Sequence, residues 1–422
     1  MADFAKALLV LLPSFFLMII IEALYAKYKG RFNFRSMDVI SSLSSGMTNA
    51  LKSILGLTIV IVGYKWMHSH LAVFEHEKSI VLFISAFVAL DFATYWYHRL
   101  AHSVNIFWNR HVIHHSGEDF NTATALRQSI SKFVNVSVFF LLPAAIVGIP
   151  PQVIAIITPL HLFVQVWYHT EHIGKLGWLE YIIVTPSQHR VHHAINPIYI
   201  DKNLSPVFCV WDRAFGTFQE ELDEEPCVYG VTRQVNTWNP ILINLDHIWL
   251  LIKDAWYASS WYDKLRIWFM PTGWRPADVK ARYPISSASS GTFKKYRTNP
   301  SRNLQIWSWV QLGVLISMVF HILITFVNIG FPMLFYYGAF LYLMVYSYTT
   351  LMDLSKYALW LETCKSMIAI GIIAYTGSWF GLEKVLPFGH ILVLIYMVIS
   401  VIVVAYFTRN EVADRQLNVS LN

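Results

Sequence analysis

Nine stretches of this chain are apolar enough and long enough to be read as membrane-crossing helices: 7–24, 47–66, 79–97, 133–149, 152–170, 304–328, 330–350, 358–380 and 388–407. A helix needs about 20 such residues to cover the hydrocarbon core. With 55% hydrophobic and only 14% charged residues, the composition calls for lipid rather than water around most of the surface. The expected fold is therefore all-α, a polytopic bundle of membrane helices. Pro150-Pro151 stops one run and starts the next, which predicts a tight helical hairpin.

Lys27, Lys29, Arg31 and Arg35 crowd the first loop, while the second loop and the hairpin turn carry almost no cations. By the positive-inside rule the first loop is cytoplasmic. Residues 98–132, 171–303, 351–357 and the tail from Arg409 then fall on the same side. Residues 7–24 follow a single Lys6 and end without a small-residue cleavage pattern, so they read as a retained span. The net charge of +6 is dispersed over loops, which fits an anionic membrane surface and excludes a nucleic-acid footprint. Cys209, Cys227 and Cys364 are too scattered for a disulfide framework or a thiolate metal site.

The one long polar block, 171–303, reads as a cytoplasmic cap. Within it, residues 239–270 interleave aromatic and aliphatic residues with charges, as in helices lying in the membrane interface or in an amphipathic core of the cap itself. SSASSGT (286–292) looks like a linker. It divides the chain near residue 300 into a catalytic unit, 1–300, and a second bundle of four spans, 301–422.

Eleven of the seventeen histidines lie between 98 and 193. HRLAH (98–102) puts His98 and His102 one turn apart at the end of the third run. HVIHH (111–115) and HRVHH (189–193) each give the spacing i, i+3, i+4, which sends three rings to one side of a helix. A lone histidine at a membrane end is ordinarily a satisfied interfacial residue, and His68, His70, His76, His321 and His390 are read so. Eight clustered imidazoles without acidic neighbours would repel one another whenever protonated. Metal binding removes that difficulty because it uses neutral rings. Eight nitrogens exceed the needs of one zinc ion and imply two ions, while imidazole alone leaves iron, zinc, copper and nickel open. The Glu-x-x-His motif of soluble di-iron bundles is absent from these clusters.

Several polar residues accompany the motifs. Asp91 and Tyr95 precede His98 by seven and three residues, on the side of the helix facing the metals. A carboxylate in an apolar run is costly unless paired, which makes Asp91 a candidate to orient a histidine ring. Asn196 is a candidate for a similar role; Glu118 and Asp119 read first as solvated loop acids. Glu362 and Asp353 sit in or near the second bundle with no role assigned from sequence.

The three motifs resemble the fatty acid hydroxylase and sterol desaturase superfamily of membrane di-iron enzymes. DFATYWYHRLAHSVNIFWNRHVIHHSGEDFNTATALRQS (91–129), TPSQHRVHH (185–193), YIDKNLSPVFCVWDRAFGTF (199–218), VYGVTRQVNTWNP (228–240) and LMDLSKYALWLETCKSM (351–367) look like its ether-lipid-cleaving branch. The resemblance implies that His98, His102, His111, His114, His115, His189, His192 and His193 ligate two Fe2+ ions, with His169 of WYHTEH (167–172) as a ninth ligand. His161 and His172 are placed by helical spacing to join or support the site. It further implies O2 as oxidant, tetrahydrobiopterin or another external electron donor, a lipid substrate hydroxylated at C1 of its alkyl chain, and release of a fatty aldehyde. Trp96, Tyr97, Phe107, Trp108 and Trp167 are candidates to line a slot for that chain. The sequence departs from the branch at Ser103, where the branch commonly carries Glu. The rival readings are a fatty acid, sterol or carotenoid hydroxylase or desaturase of the same superfamily, and a divalent-metal transporter. Transport would put ligands near mid-membrane, whereas these lie at the ends of spans.

Overall fold

A computed structural model of the chain describes residues 2–413. Among them every regular element is a helix, and pairing between extended segments is limited to isolated bridges. Five helices are long and apolar enough to cross a membrane: Leu8–Tyr28, Ile80–Ser103, Arg302–Ile329, Ala358–Thr376 and Gly389–Val412. Their ends follow local chemistry. The Ser79 hydroxyl accepts from the Leu82 N–H at 3.2 Å and Ser301 does the same for Leu304 at 3.1 Å, so each helix starts on a capped turn. Gly377, at φ 69°, closes Ala358–Thr376 with the left-handed residue that helix C-termini favour.

Four of the nine expected spans turn out differently. The helix expected at 47–66 lies instead at Ser36–Ile54, because Gly56 adopts φ 64° and ends it. Beyond that turn, Ile59 pairs with Val134 in a short parallel bridge. Ser36–Ile54 is buried along nearly its whole length, and Ser42 and Ser44 donate to the carbonyls of Asp38 and Ile40 four residues back. Its hydroxyls are hidden inside the protein, which is why an apolar scan passes over it. At 133–170 the hairpin forms around Pro150-Pro151, but its apolar helices are Ser137–Val147 and Pro151–Phe163. Thirteen residues rise about 20 Å, short of the roughly 30 Å core. The hairpin packs on Ile80–Ser103 through Leu82, Ala86 and Leu90 against Ala144, Val153 and Ile157.

The fourth, expected at 330–350, is the helix Met333–Met352, which is rich in tyrosine, lies mostly buried and is not among the five. It and its neighbours Arg302–Ile329, Ala358–Thr376 and Gly389–Phe407 share one core with the first two helices, in which Ile40, Met47 and Leu51 meet Leu315, Tyr337 and Met344. Glu118 and Asp119, read as solvated acids, are buried instead. Both take Arg35, at 3.4 and 2.7 Å, and Asp119 also takes Lys295 at 2.6 Å.

Candidate metal centre

Four segments carry nine histidines to one place. His98 and His102 lie on the final turns of Ile80–Ser103; His111 precedes, and His114 and His115 lie on, the single turn Val112–His115; His169 follows Pro151–Phe163; His189, His192 and His193 lie on Pro186–His193. This last helix starts where it does because Glu180 accepts at Oε1 from the hydroxyls of Thr185 and Ser187, each at 2.9 Å, and at its carbonyl from Gln188 at 2.7 Å.

The nine rings form two groups. One contains His98, His102, His111, His115 and His192, the other His114, His169, His189 and His193, and within each group the ligand nitrogens all lie within 4.8 Å of one another. The motifs therefore divide between groups. In HVIHH and HRVHH the two histidines four apart stay together, while the middle one, His114 or His192, crosses to the other group. The three rings of a motif thus leave one side of their helix but do not join one group. The groups abut, with His115 stacked on His193 at 4.5 Å between centroids.

The nitrogens converge. His98 Nε2 lies 2.7 Å from His111 Nε2, and His111 Nε2 lies 3.0 Å from His115 Nε2. In the second group His169 and His189 approach to 2.9 Å, and His193 stands 3.1 Å from both His114 and His189. Nitrogens at about 2.1 Å from one ion, at right angles, would stand about 3 Å apart.

The far nitrogens fix the tautomers. His98 Nδ1 meets the Leu204 carbonyl at 2.7 Å, His114 Nδ1 that of Arg127 at 3.3 Å, His169 Nδ1 that of Gln165 at 3.1 Å and His192 Nδ1 that of Lys202 at 3.0 Å. A carbonyl only accepts, so each Nδ1 carries the proton, and a neutral ring then turns the Nε2 lone pair inward. Neutrality follows from burial, which holds His111, His114, His115, His189, His192 and His193 well below the ordinary histidine range and His169 at about 3. Neighbouring imidazoles lower the first six further. Facing lone pairs, as between His114 and His169 at 3.4 Å, have no hydrogen to share. His102 Nε2 and His192 Nε2 are buried with no hydrogen-bond partner. A divalent cation in each group would satisfy all of these atoms.

The other expected residues stand outside the two groups. Asp91 accepts from His161 Nε2 at 2.8 Å, from the backbone of Val207 and Phe208, and from Trp211 at 2.8 Å, so it braces the 207–211 loop rather than a clustered ring. The Tyr95 hydroxyl bonds Thr217 and receives Arg99, each at 3.0 Å. Asn196 donates to Glu225 and Pro226. His172 packs edge-on against Tyr25. Of the aromatics proposed for a slot, Trp108 packs on His102 and His115 at 5.2 and 5.4 Å. Trp96 packs with Phe92 and Phe215, Tyr97 with Phe140, and Trp167 with Tyr168. Ser103 donates to the Arg99 carbonyl at 2.7 Å.

Sequence reasoning missed Asp201, whose Oδ1 lies 3.0 Å from His102 Nδ1, and the Lys202 and Leu204 carbonyls near it. The only sequence signal was their place within the stretch 199–218. It also missed Phe120 and Tyr168, whose rings cover His169 and His189.

Residues 83–217 match the fatty acid hydroxylase family. The chain is 36% identical to the alkylglycerol monooxygenase of Homo sapiens over 68% of its own length and 64% of the relative's. It is likewise 36% identical to that of Xenopus tropicalis, over 73% and 68%. An ornithine lipid hydroxylase of Rhizobium tropici is 26% identical over 40% of this chain and 50% of its own. The aligned part thus spans about two thirds of the alkylglycerol monooxygenases named. No solved structure matches the chain. On these similarities the chain belongs to the fatty acid hydroxylase family, in the branch that contains the alkylglycerol monooxygenases.

Proposed function

We propose that this chain is a membrane monooxygenase that holds one iron ion in each histidine group and hydroxylates a lipid alkyl chain, cleaving the O-alkyl ether bond of alkylglycerols. The observation that carries the reading is the convergence of nine histidines, six buried and three half-buried, those with fixed tautomers aiming unprotonated nitrogens at two adjacent points. Five nitrogens in one group and four in the other leave room on octahedral ions for external ligands, as a non-haem iron oxygenase needs. Bound iron supplies what acids and bases cannot, activation of O2 to break a strong C–H bond, with two electrons from tetrahydrobiopterin or another external donor.

The chain's own part is orientation and exclusion. Carbonyls of Gln165, Lys202 and Leu204 and the Asp201 carboxylate pin rings from outside. Trp108, Phe120 and Tyr168 pack over rings of the two groups and shield those sides from water. Asp91, Tyr95 and Asn196 act as positioning residues; their hydrogen bonds to the 207–211 loop, Thr217 and residues 225–228 support that role. Hydroxylation at the carbon beside the ether oxygen leaves a hemiacetal, which separates into a fatty aldehyde and a glycerol derivative. The basic first loop supports a cytoplasmic site. The bundle 301–422 serves as a buttress to the catalytic unit 1–300: its core includes the helix bearing Asp38, which holds Arg127 at 2.9 Å, and the Arg127 carbonyl in turn holds His114.

Membranes containing the protein, given an alkylglycerol, reduced tetrahydropterin and iron, are expected to release fatty aldehyde in an O2-dependent way. Absence of aldehyde from an iron-replete preparation rejects ether cleavage. The similarity to an ornithine lipid hydroxylase favours hydroxylation of another membrane lipid as the second reading, and a hydroxylated, uncleaved lipid would select it.

A further inference from the structure

Residues 249–269 expose more large apolar surface than a water-facing segment carries. Trp256, Trp261 and Phe269 are 77, 77 and 70% exposed, and Trp249, Tyr262 and Leu265 are exposed as well. Cations are set among them, with Lys264 Nζ 5.3 Å above the Trp261 ring and the Arg266 guanidinium 4.6 Å above Tyr262. Exposed tryptophans and tyrosines alternating with Lys and Arg match the headgroup layer of an anionic bilayer.

The height of this segment is set by hydrogen bonds to the end of a span. Asn105 and Ile106 donate their backbone N–H groups to the carbonyls of Met270 and Trp268, each at 3.0 Å. The Thr272 N–H donates to the Ser103 carbonyl at 3.2 Å, and its hydroxyl to that of His102 at 2.5 Å. The Asn105 side chain donates to the carbonyls of Ile267 and Trp274 and accepts from the Gly273 N–H. Ile80–Ser103 has 24 residues and rises about 36 Å, so its last turn emerges at the headgroups. Residues 267–273 are tied at that level.

Behind the segment lies a cavity of about 520 Å³. One wall is formed by His102, His115, His192 and His193; the others include Val231, Leu250, Leu251 and Trp274, with Ile285 and Lys280 exposed at its edge. That volume suits one small ligand, and it fits one alkyl chain more closely than two.

We propose that this cavity binds a single-chain lipid of the alkylglycerol type, and that the aromatic segment 249–275 lies in the headgroup layer as the entrance through which the lipid passes from the bilayer to the histidines. The inference rests on the reading of the histidines as the centre of a lipid oxygenase, and it locates the substrate within that reading.

The test is binding, without turnover. Full-length protein in phosphatidylcholine–phosphatidylglycerol vesicles is irradiated with a 1-O-alkylglycerol bearing a diazirine in its chain, and the adducts are mapped by peptide mass spectrometry. Adducts are expected on residues 231–251 and 284–287, competed at least fivefold by unlabelled 1-O-hexadecylglycerol. Leu250→Trp and the exposed variant Ile285→Trp should each lower the adduct yield at least fivefold with metal content unchanged. Trp256→Ser with Trp261→Ser should slow labelling from vesicles severalfold but not from detergent micelles. Adducts confined to other surfaces, or yields unmoved by both cavity variants, would overturn the proposal. Competition by a reduced pterin and not by the alkylglycerol would also overturn it, assigning the cavity to the reductant. Adducts at the cavity without aldehyde release reject ether cleavage and leave this site standing.

Discussion

Asp201 Oδ1 lies 3.0 Å from His102 Nδ1, and among the described residues it is the one carboxylate hydrogen-bonded to a ring of either histidine group. It sits at φ 57°, a backbone conformation that aspartate tolerates better than most residues. The acid leaves His102 Nε2 facing the group and makes it a stronger donor to a metal. Asp201→Ala is expected to lower metal affinity in the five-histidine group about tenfold, within the 10–100-fold range for such partners, and Asp201→Asn less. Iron titration of the solubilised protein checks this, and equal affinities for all three proteins would show that packing alone holds His102.

His192→Ala and His114→Ala each remove a middle histidine of a motif, and each should strike the group to which its ring crosses rather than the one its motif partners occupy. Both should lose turnover by more than about 100-fold, beyond what an outer partner contributes. Iron per chain should fall from two towards one in each, with the remaining ion in opposite groups. Mössbauer or absorption spectra that are the same in both variants would refute the division.

The buried, neutral histidines also set a pH limit. Their folded pKa values are lowered, so the stabilising neutral state is fully populated above the unfolded value of about 6.5 and its contribution is lost as pH falls below it, because the unfolded chain takes up protons that the folded chain refuses. Protons also compete with metal for the same nitrogens. The thermal midpoint of the metal-free protein should be level between pH 8 and 7 and drop by several degrees by pH 5.5. A midpoint that rises on acidification would contradict neutral burial.

In the C-terminal bundle Lys365 Nζ lies 2.5 Å from Glu362 Oε1, and the carboxylate also takes the hydroxyls of Ser347, at 2.7 Å, and Ser400. Both partners are essentially inaccessible. Lys365→Met leaves an unpaired buried carboxylate and should destabilise the protein by about 3–5 kcal/mol, while the double variant Glu362→Gln with Lys365→Met should recover most of that loss. Unfolding midpoints in one detergent measure both effects.

Much of this was legible beforehand because helical spacing and ring chemistry are local. The i, i+4 pairs stay together in space as they do along the helix. Which group the middle histidines join was not legible, since it depends on how three separate segments cross. Asp91 shows the same limit from the other side. The cost of a carboxylate in an apolar run correctly required a partner, but that partner is His161 with the 207–211 loop, which only the fold brings near. Ser36–Ile54 escaped because hydrophobicity marks contact with lipid, whereas this helix satisfies its serines within itself and against other helices. Asp201 had no spacing signal at all; it reaches His102 from 99 residues away.

The crossing of the middle histidines constrains the gene as well as the protein. An insertion of one residue between His111 and His114, or between His189 and His192, would rotate everything beyond it by about 100°. Because both motifs contribute to both groups, such a change would displace one ring from each group together, leaving neither complete. The spacing from the first to the middle histidine of each pentapeptide should therefore tolerate no change in length, whereas the loops between the motifs should.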